Sequence, residues 1–468
     1  MKEVYMGTIT EALADFAFGL RYEELPKDVL AMARMLLCDH LACTVGGMHA
    51  PVSRSVEAFV KAMGGAEICR IPGTGLRTSP TQAAFLQATA ANALDYDDTG
   101  SRGHPGASII PPLLALAQAH GISGRRLLSA MVVGYEINDR VAHATLPSPE
   151  RYSAVHANGS LQAVGSAAAC AHLLGLSRKE TLDCIGIAGA MAPVPHAGKF
   201  GWEDKSIASI KDNVALPAEN AVKAALLASY GYEGSESIMD GPGGFWAMLG
   251  SDRCQEEVFK DFSKFTITEV SLKPYPCCRW IHTVLDALRQ LRASHAFSPA
   301  DIAEMRVATT PPIAAKFGKQ RARTFLDMEF STPLTLSLFL HDIPFPLWHR
   351  AEHWDSPAIR ETASRITMHA DDELWQRFLE LGRKSSCIPA RVSLVLRDGT
   401  KLEGYCDNAS GTPENPISPQ EREEKWLALL TSSLNRDAAL DLLAQAASVD
   451  SLDTLDSLME SAAASAEK

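Results

Sequence analysis

The chain has 468 residues, 46% of them hydrophobic and 21% charged, and a formal net charge of −12. That length is too great for one ordinary core, so two domains, or one large and one small, are expected in a globular protein. The acidic balance argues against nucleic acid or an anionic membrane surface as the main partner, because no basic excess exists to release counterions, and an anionic small substrate would be held by a few local cations.

The opening MKEVYMGTITEAL lacks the apolar segment of a secretory leader, and no apolar run reads as long enough for a membrane span, so a cytoplasmic chain without a membrane partner is expected. TITEALADFAFGLRYEELPKDVLAMARMLLCDHLACTVGGM reads as two helices joined near Pro26 and closed by Gly46 and Gly47, with Asp39 inside the second. SRSVEAFVKAMGG is a third helix. The GTG of the following loop is too short for a phosphate cradle. The ten cysteines are scattered, and the adjacent Cys277 and Cys278 do not form a CxxC pair. They read as buried small hydrophobes in a reducing compartment, with no iron–sulfur cluster indicated.

PTQAAFLQATAANAL has helical periodicity without internal glycine and should be a buried helix. The stretch after it places Asp95, Asp97, Asp98, Thr99 and His104 within ten residues. GSRGHPG breaks the pattern, and IIPPLLALAQAHG resumes it with prolines where a first turn tolerates them. Five polar side chains on a loop between two anchored helices serve no packing purpose; a solvated loop with a capping aspartate is the plain alternative. GRRLLSAMVVGYEINDRVAHA is again helical. His156 and Ser160 stand before AVGSAAACAHLLGL, whose small residues let neighbouring helices approach closely. Lys205 and Lys211 precede a long Ala-rich helix, where an exposed lysine is the ordinary outcome.

Near residue 265 the pattern changes. FTITEVSL alternates with β-branched residues, and Lys273, Arg279 and His282 then cluster round Pro274 and Pro276. DIAEMRVATTP alternates like a strand, and ARVSLVLRDGTKLEGYCD reads as two strands about a two-residue Asp398-Gly399 turn. Strands mixed with helices after a long helical stretch indicate a separate α+β domain. The tail from SPQEREEKWLALL onward is helical, with an acidic start suited to a helix N-terminus, and most simply returns to the first domain.

ALDYDDT followed by a His-Pro-small-small step resembles the MmgE/PrpD family, which includes 2-methylcitrate dehydratases, cis-aconitate decarboxylases and an iminodisuccinate epimerase. The Leu25-Pro26 step, the histidine before a small-residue helix, KPYPCCRWIH and DMEFSTPLTL extend the resemblance over nearly the whole chain. It implies a mainly α fold: a large all-helical domain of residues 1–266, completed by C-terminal helices 411–468, with a smaller α+β domain, 267–410, inserted between. It further implies a homodimer, no cofactor and no metal, and a cleft where the domains meet. By family position the catalytic residues would be Asp95, His104, His156, Lys211 and Lys273, with Lys205 a weaker match for the first lysine, and Thr99, Ser160 and Arg279 would bind substrate. Two departures stand out: DNVALP after Lys211, and Leu334 where many members carry tyrosine, which makes the site less polar if that tyrosine touches substrate.

The residue types suit chemistry on a di- or tricarboxylate. Removing a proton beside a carboxylate builds an enolate-like dianion, so a base, an acid and fixed cations are needed. Two histidines, Asp95 to orient an imidazole and two lysines supply that set without metal. Dehydration, decarboxylation and epimerisation share this charge build-up, and the sequence does not separate them. An epimerase of an imino or hydroxy dicarboxylate is the first alternative reading and a non-catalytic helical dimer the second.

Overall fold

The computed structural model describes residues 7–100, 102–195, 213–382 and 387–463. Helix α1 (Ile9–Gly19) opens on a capping box in which Thr8 and Glu11 satisfy each other's terminal N–H groups. Helix α2 (Lys27–Gly47) is apolar nearly all round because other helices surround it. By length and composition it is long enough to cross a membrane, which corrects the sequence expectation; 72% of that apolar window is buried inside the fold, as suits the centre of a helical body. After α3 (Pro51–Met63) and a short hairpin of β1 (Cys69–Arg70) and β2 (Arg77–Thr78) come α4 (Pro80–Asn92), α5 (Pro105–His120) and α6 (Gly124–Ala144). Then follow α7 (Pro149–Ala154), α8 (Ala163–Leu174), α9 (Arg178–Ala190) and α10 (Ala215–Ser229).

Two details differ from the sequence reading. Helix α5 starts at Pro105, directly after His104, so Pro111 and Pro112 lie inside it and not in its first turn. The small-residue pattern does bring helices together: a Cβ on Gly134 of α6 would stand 2.7 Å from Ile109 of α5 and 3.1 Å from Ala169 of α8.

The larger apolar core draws on residues 13–272 and again on 417–462, while a second draws on 275–406. The second core lies against a four-stranded sheet of order β4-β3-β5-β6, built from β3 (Ile302–Thr309), β4 (Ile366–Ala370), β5 (Ala390–Leu396) and β6 (Lys401–Cys406). Strand β4, which no sequence signal singled out, runs parallel to β3 with Met305 opposite Ile366; the other pairings are antiparallel. The helix His282–Ser294 sits so close on β6 that a Cβ at Gly404 would meet the Ala287 carbonyl at 2.7 Å. The chain is thus mostly helical with a small share of strand.

FTITEVSL is not a strand. Thr266–Glu269 forms a 3-10 turn, because the buried Glu136 carboxylate takes the N–H groups of Thr266 (3.0 Å) and Ile267 (2.9 Å) that a ladder would have used. Only Ser271 pairs, with Thr99. The reversal between β5 and β6 is longer than two residues: Gly399 N–H closes a turn onto Leu396 O (2.9 Å), and Gly399 takes φ +89° before Thr400.

Candidate active site

The loop between α4 and α5 carries its charges inward. Asp95, Asp97 and Asp98 are 1%, 2% and 4% exposed, which rules out the solvated-loop alternative. Burial of three carboxylates demands partners: Asp97 finds them nearby, while Lys273 and Tyr135 reach Asp95 and Asp98 from elsewhere in the chain.

Asp95 adopts φ +48°, a left-handed conformation that aspartate tolerates better than most residues. The bend lets the fully buried Lys273 ammonium take both its carbonyl oxygen (2.8 Å) and its carboxylate Oδ1 (2.5 Å). His104, at the N-cap of α5, places Nε2 3.5 Å from Asp95 Oδ1 and Nδ1 3.1 Å from Asp97 Oδ1. A carboxylate oxygen thus stands within ion-pair distance of each ring nitrogen. Asn92 Nδ2 donates to both oxygens of Asp97 at 3.3 Å. His40 lies near Asp97, and burial pushes its imidazole down to about 3, so it stays neutral.

Asp98 faces the other way. Tyr135 OH donates to its Oδ2 (2.7 Å) and Gly106 N–H to its Oδ1 (3.1 Å). Burial, reinforced by the neighbouring Asp97 charge, lifts its carboxyl to about 7. The α8 side clamps the backbone of His104: the Gln162 amide, oriented with its nitrogen toward Ser108 Oγ, accepts from His104 N–H (3.0 Å) and donates to His104 O (3.2 Å).

The loop is stitched to the KPYPCCRWIH segment by reciprocal Thr99–Ser271 backbone hydrogen bonds of 2.9 Å and by Tyr96 OH donating to Pro274 O (3.1 Å). Beyond Lys273, Arg279 donates through Nη1 to Ser410 O (2.9 Å) and to His282 Nδ1 (3.0 Å), and His282 Nε2 lies 3.2 Å from Cys277 O. Burial, with Arg279 and Lys273 adding to it, drives His282 well below its ordinary range, so this ring is neutral. Arg279 is 5% exposed, and its Nε and Nη2 have no acceptor among the described residues. Burial lowers its guanidinium to about 10.

The structure therefore brings Asp95 into contact with both His104 and Lys273, with Thr99 on the same loop, while Arg279 bonds His282 and Ser410 O. Ser160 donates its hydroxyl to Pro193 O (2.6 Å) and is buried. His156 is half-buried on the segment that packs against the loop, where a Cβ on Gly103 would stand 3.3 Å from Asn158 Cβ. Lys205 and Lys211 lie outside the described residues. Leu334 is buried in the second core. Sequence reasoning missed Gln162, Tyr135 and Lys425. Lys425 donates to Asp39 Oδ1 (2.6 Å) and to Tyr96 O (2.8 Å). Its one available signal was its place one turn before Leu429 on the buried stripe of its helix.

Asp95, Asp97 and His104 have the donor types of a small metal site, one atom from each lying within 4.8 Å of the others. The Lys273 ammonium already rests on Asp95 Oδ1, where a metal would face a fixed buried cation. The trio suits an ammonium better than a metal ion. All ten cysteines are free thiols, eight of them buried.

Two family profiles match successive parts of the chain. The profile of the MmgE/PrpD N-terminal domain matches residues 11–257, and that of the MmgE/PrpD C-terminal domain matches residues 275–450. A cis-aconitate decarboxylase of Mus musculus is 25% identical over 93% of this chain and 89% of its own length. A 2-methylcitrate dehydratase of Cupriavidus necator is 24% identical over 90% of this chain and 88% of its own. An alkylcitrate dehydratase of a fungal species is 24% identical over 84% and 82%.

Proposed function

The chain belongs to the MmgE/PrpD family, and from that premise we propose that it is a lyase acting on a small di- or tricarboxylate, of the 2-methylcitrate dehydratase or cis-aconitate decarboxylase kind. One observation carries the reading: a buried cation, Lys273, rests on a buried aspartate that also meets His104, and a second buried cation, Arg279, follows on the same segment. Lys273 uses two of its three N–H donors on Asp95, and Arg279 has two nitrogens without an acceptor among the described residues. A buried, undersatisfied cation is costly, and an anionic ligand relieves that cost. Substrate carboxylates, and the dianion that forms beside one, are such ligands.

In this reading His104, beside Asp95 and Asp97, and His156 are the acid–base pair, one acting at the carbon and the other at the departing group. In a dehydration the base takes the proton from the carbon beside a carboxylate while the acid protonates the departing hydroxyl. In a decarboxylation the C–C bond breaks, carbon dioxide leaves with neither proton nor electron pair, and the acid protonates the carbon that keeps the pair. Lys273 and Arg279 steady the carboxylates in either case, with Lys211 as a further cation and Thr99 and Ser160 as polar contacts. We also read residues 267–410 as an inserted domain over the cleft and the active form as a cytoplasmic homodimer working without cofactor.

The test is proton NMR of chelator-treated protein in deuterated buffer with 2-methylcitrate, citrate, cis-aconitate and racemic hydroxy and imino dicarboxylates. New vinyl signals from the citrates identify a dehydratase, and carbon dioxide loss from cis-aconitate a decarboxylase. Chelation should leave the rate within about twofold, since the ammonium supplies the local charge. Deuterium entering carbon without a new product would overturn the lyase reading in favour of an epimerase. A rate that vanishes on chelation and returns with a divalent ion would overturn the metal-free chemistry.

A further inference from the structure

Asp95 and Tyr96 turn their carbonyls to two different buried lysines. Asp95 O accepts from Lys273 (2.8 Å), and the next carbonyl, Tyr96 O, accepts from Lys425 (2.8 Å), which is 6% exposed. Each lysine is also ion-paired, Lys273 to Asp95 (2.5 Å) and Lys425 to Asp39 of α2 (2.6 Å). Trp426 Nε1 donates to the same Asp39 oxygen (2.8 Å), and the Lys425 ammonium lies 4.4 Å from the Tyr96 ring centre. Tyr96 in turn reaches Pro274 O, the neighbour of Lys273. A lysine from a helix near the C-terminus, paired with an aspartate of a helix near the N-terminus, thus holds one carbonyl of a loop that has no regular secondary structure of its own.

We propose that Lys425 is a positioning residue for the site: with Asp39 it fixes the Tyr96 carbonyl, and through it the aspartates on either side, Asp95 and Asp97, at the distances from which they hold His104. The proposal rests on the functional reading above for its kinetic consequence. Its structural content is independent of that reading. A left-handed bend at Asp95 has no helical or strand ladder to hold it, and a loop with two consecutive carbonyls anchored to lysines of two different segments is fixed in position as well as in conformation. Lys425 itself touches neither His104 nor Lys273 in a hydrogen bond, so it acts through the backbone.

Lys425→Met leaves the buried Asp39 without its cation and is expected to lower stability. The companion variant, Asp39→Leu with Lys425→Met, removes both charges and restores apolar packing while still lacking the donor to Tyr96 O. The expected result is a double variant whose melting temperature recovers toward the parent, with kcat lower by about tenfold and KM within about threefold. The second readout needs no substrate: the His104 titration followed by NMR on histidine-labelled protein, assigned by comparison with His104→Gln, should shift by about half a pH unit or more in the double variant. A folded double variant with parental kcat and an unshifted His104 titration overturns the proposal. If the parent turns over nothing in the panel, the functional reading fails, and the His104 titration still decides the positioning.

Discussion

The α4–α5 loop and the reversal between β5 and β6 use the same vocabulary, aspartate and glycine between regular elements, and each contains a residue at positive φ: Asp95 at +48° and Gly399 at +89°. They differ in where their partners come from. At the reversal the bonds are local: Thr400 N–H donates to Asp398 Oδ1 (2.9 Å) and Gly399 N–H to Leu396 O (2.9 Å). In the loop, the groups that hold Asp95 and Tyr96 lie 178 and 329 residues away. An exposed turn can be satisfied by its neighbours and water. A buried loop of carboxylates needs cations delivered by the fold, and that delivery also builds a site.

The largest expected effect comes from removing one of those delivered cations. Lys273→Met deprives Asp95 of its ion pair and the site of a donor; turnover should fall by about 10²–10³-fold and stability by about 3–5 kcal/mol. Steady-state kinetics and denaturant melts check both, and a variant with ordinary turnover would erase the distinction between the two loops.

Next is the pH dependence of stability. Folded Asp98, lifted from 3.8 to about 7, holds its proton more tightly than the unfolded carboxyl. Its contribution is therefore complete below the unfolded value and lost as pH rises toward 7, on the order of 4 kcal/mol over that window. Asp98→Asn should flatten the fall in melting temperature between pH 5 and pH 7.5, and an unchanged slope would show that Asp98 is not the group responsible.

A smaller effect is expected at Gly106, where a Cβ would stand 2.6 Å from both Asp98 Oδ1 and Tyr135 OH. Gly106→Ala should cost about 1–3 kcal/mol and reduce turnover less than Lys273→Met does. The smallest belongs to the reversal: Gly399→Ala should cost about 1 kcal/mol through its left-handed backbone and leave turnover unchanged. A kinetic defect there would mean that the hairpin and the site are coupled.

How much was legible follows the same division. The opening helices, the helices on either side of the aspartate loop and the β5–β6 pairing follow from local signals, because each depends on residues a few positions apart. FTITEVSL misled because Glu136, more than a hundred residues earlier, supplies the acceptor for its N–H groups. Strand β4 was invisible because ITMHA is too short to show alternation, and its pairing with β3 is long-range. At the site, the residue types and the loop that carries them were readable, and the family resemblance supplied Lys273. Nothing local marks Gln162 as the clamp on His104, since its amide reads as one more polar group at a helix start.

The sequence by itself determined a mainly helical chain with a late α+β segment, and a loop too rich in ionisable groups to be explained by packing. Only the tertiary structure decided that those groups are buried, which aspartate meets His104 and which meets Tyr135, and that two lysines from distant segments hold adjacent carbonyls. The physical reason is that hydrogen bonding along the backbone is a property of neighbours, whereas the balance of buried charge is a property of whatever the fold brings within about 4 Å, at any separation along the chain.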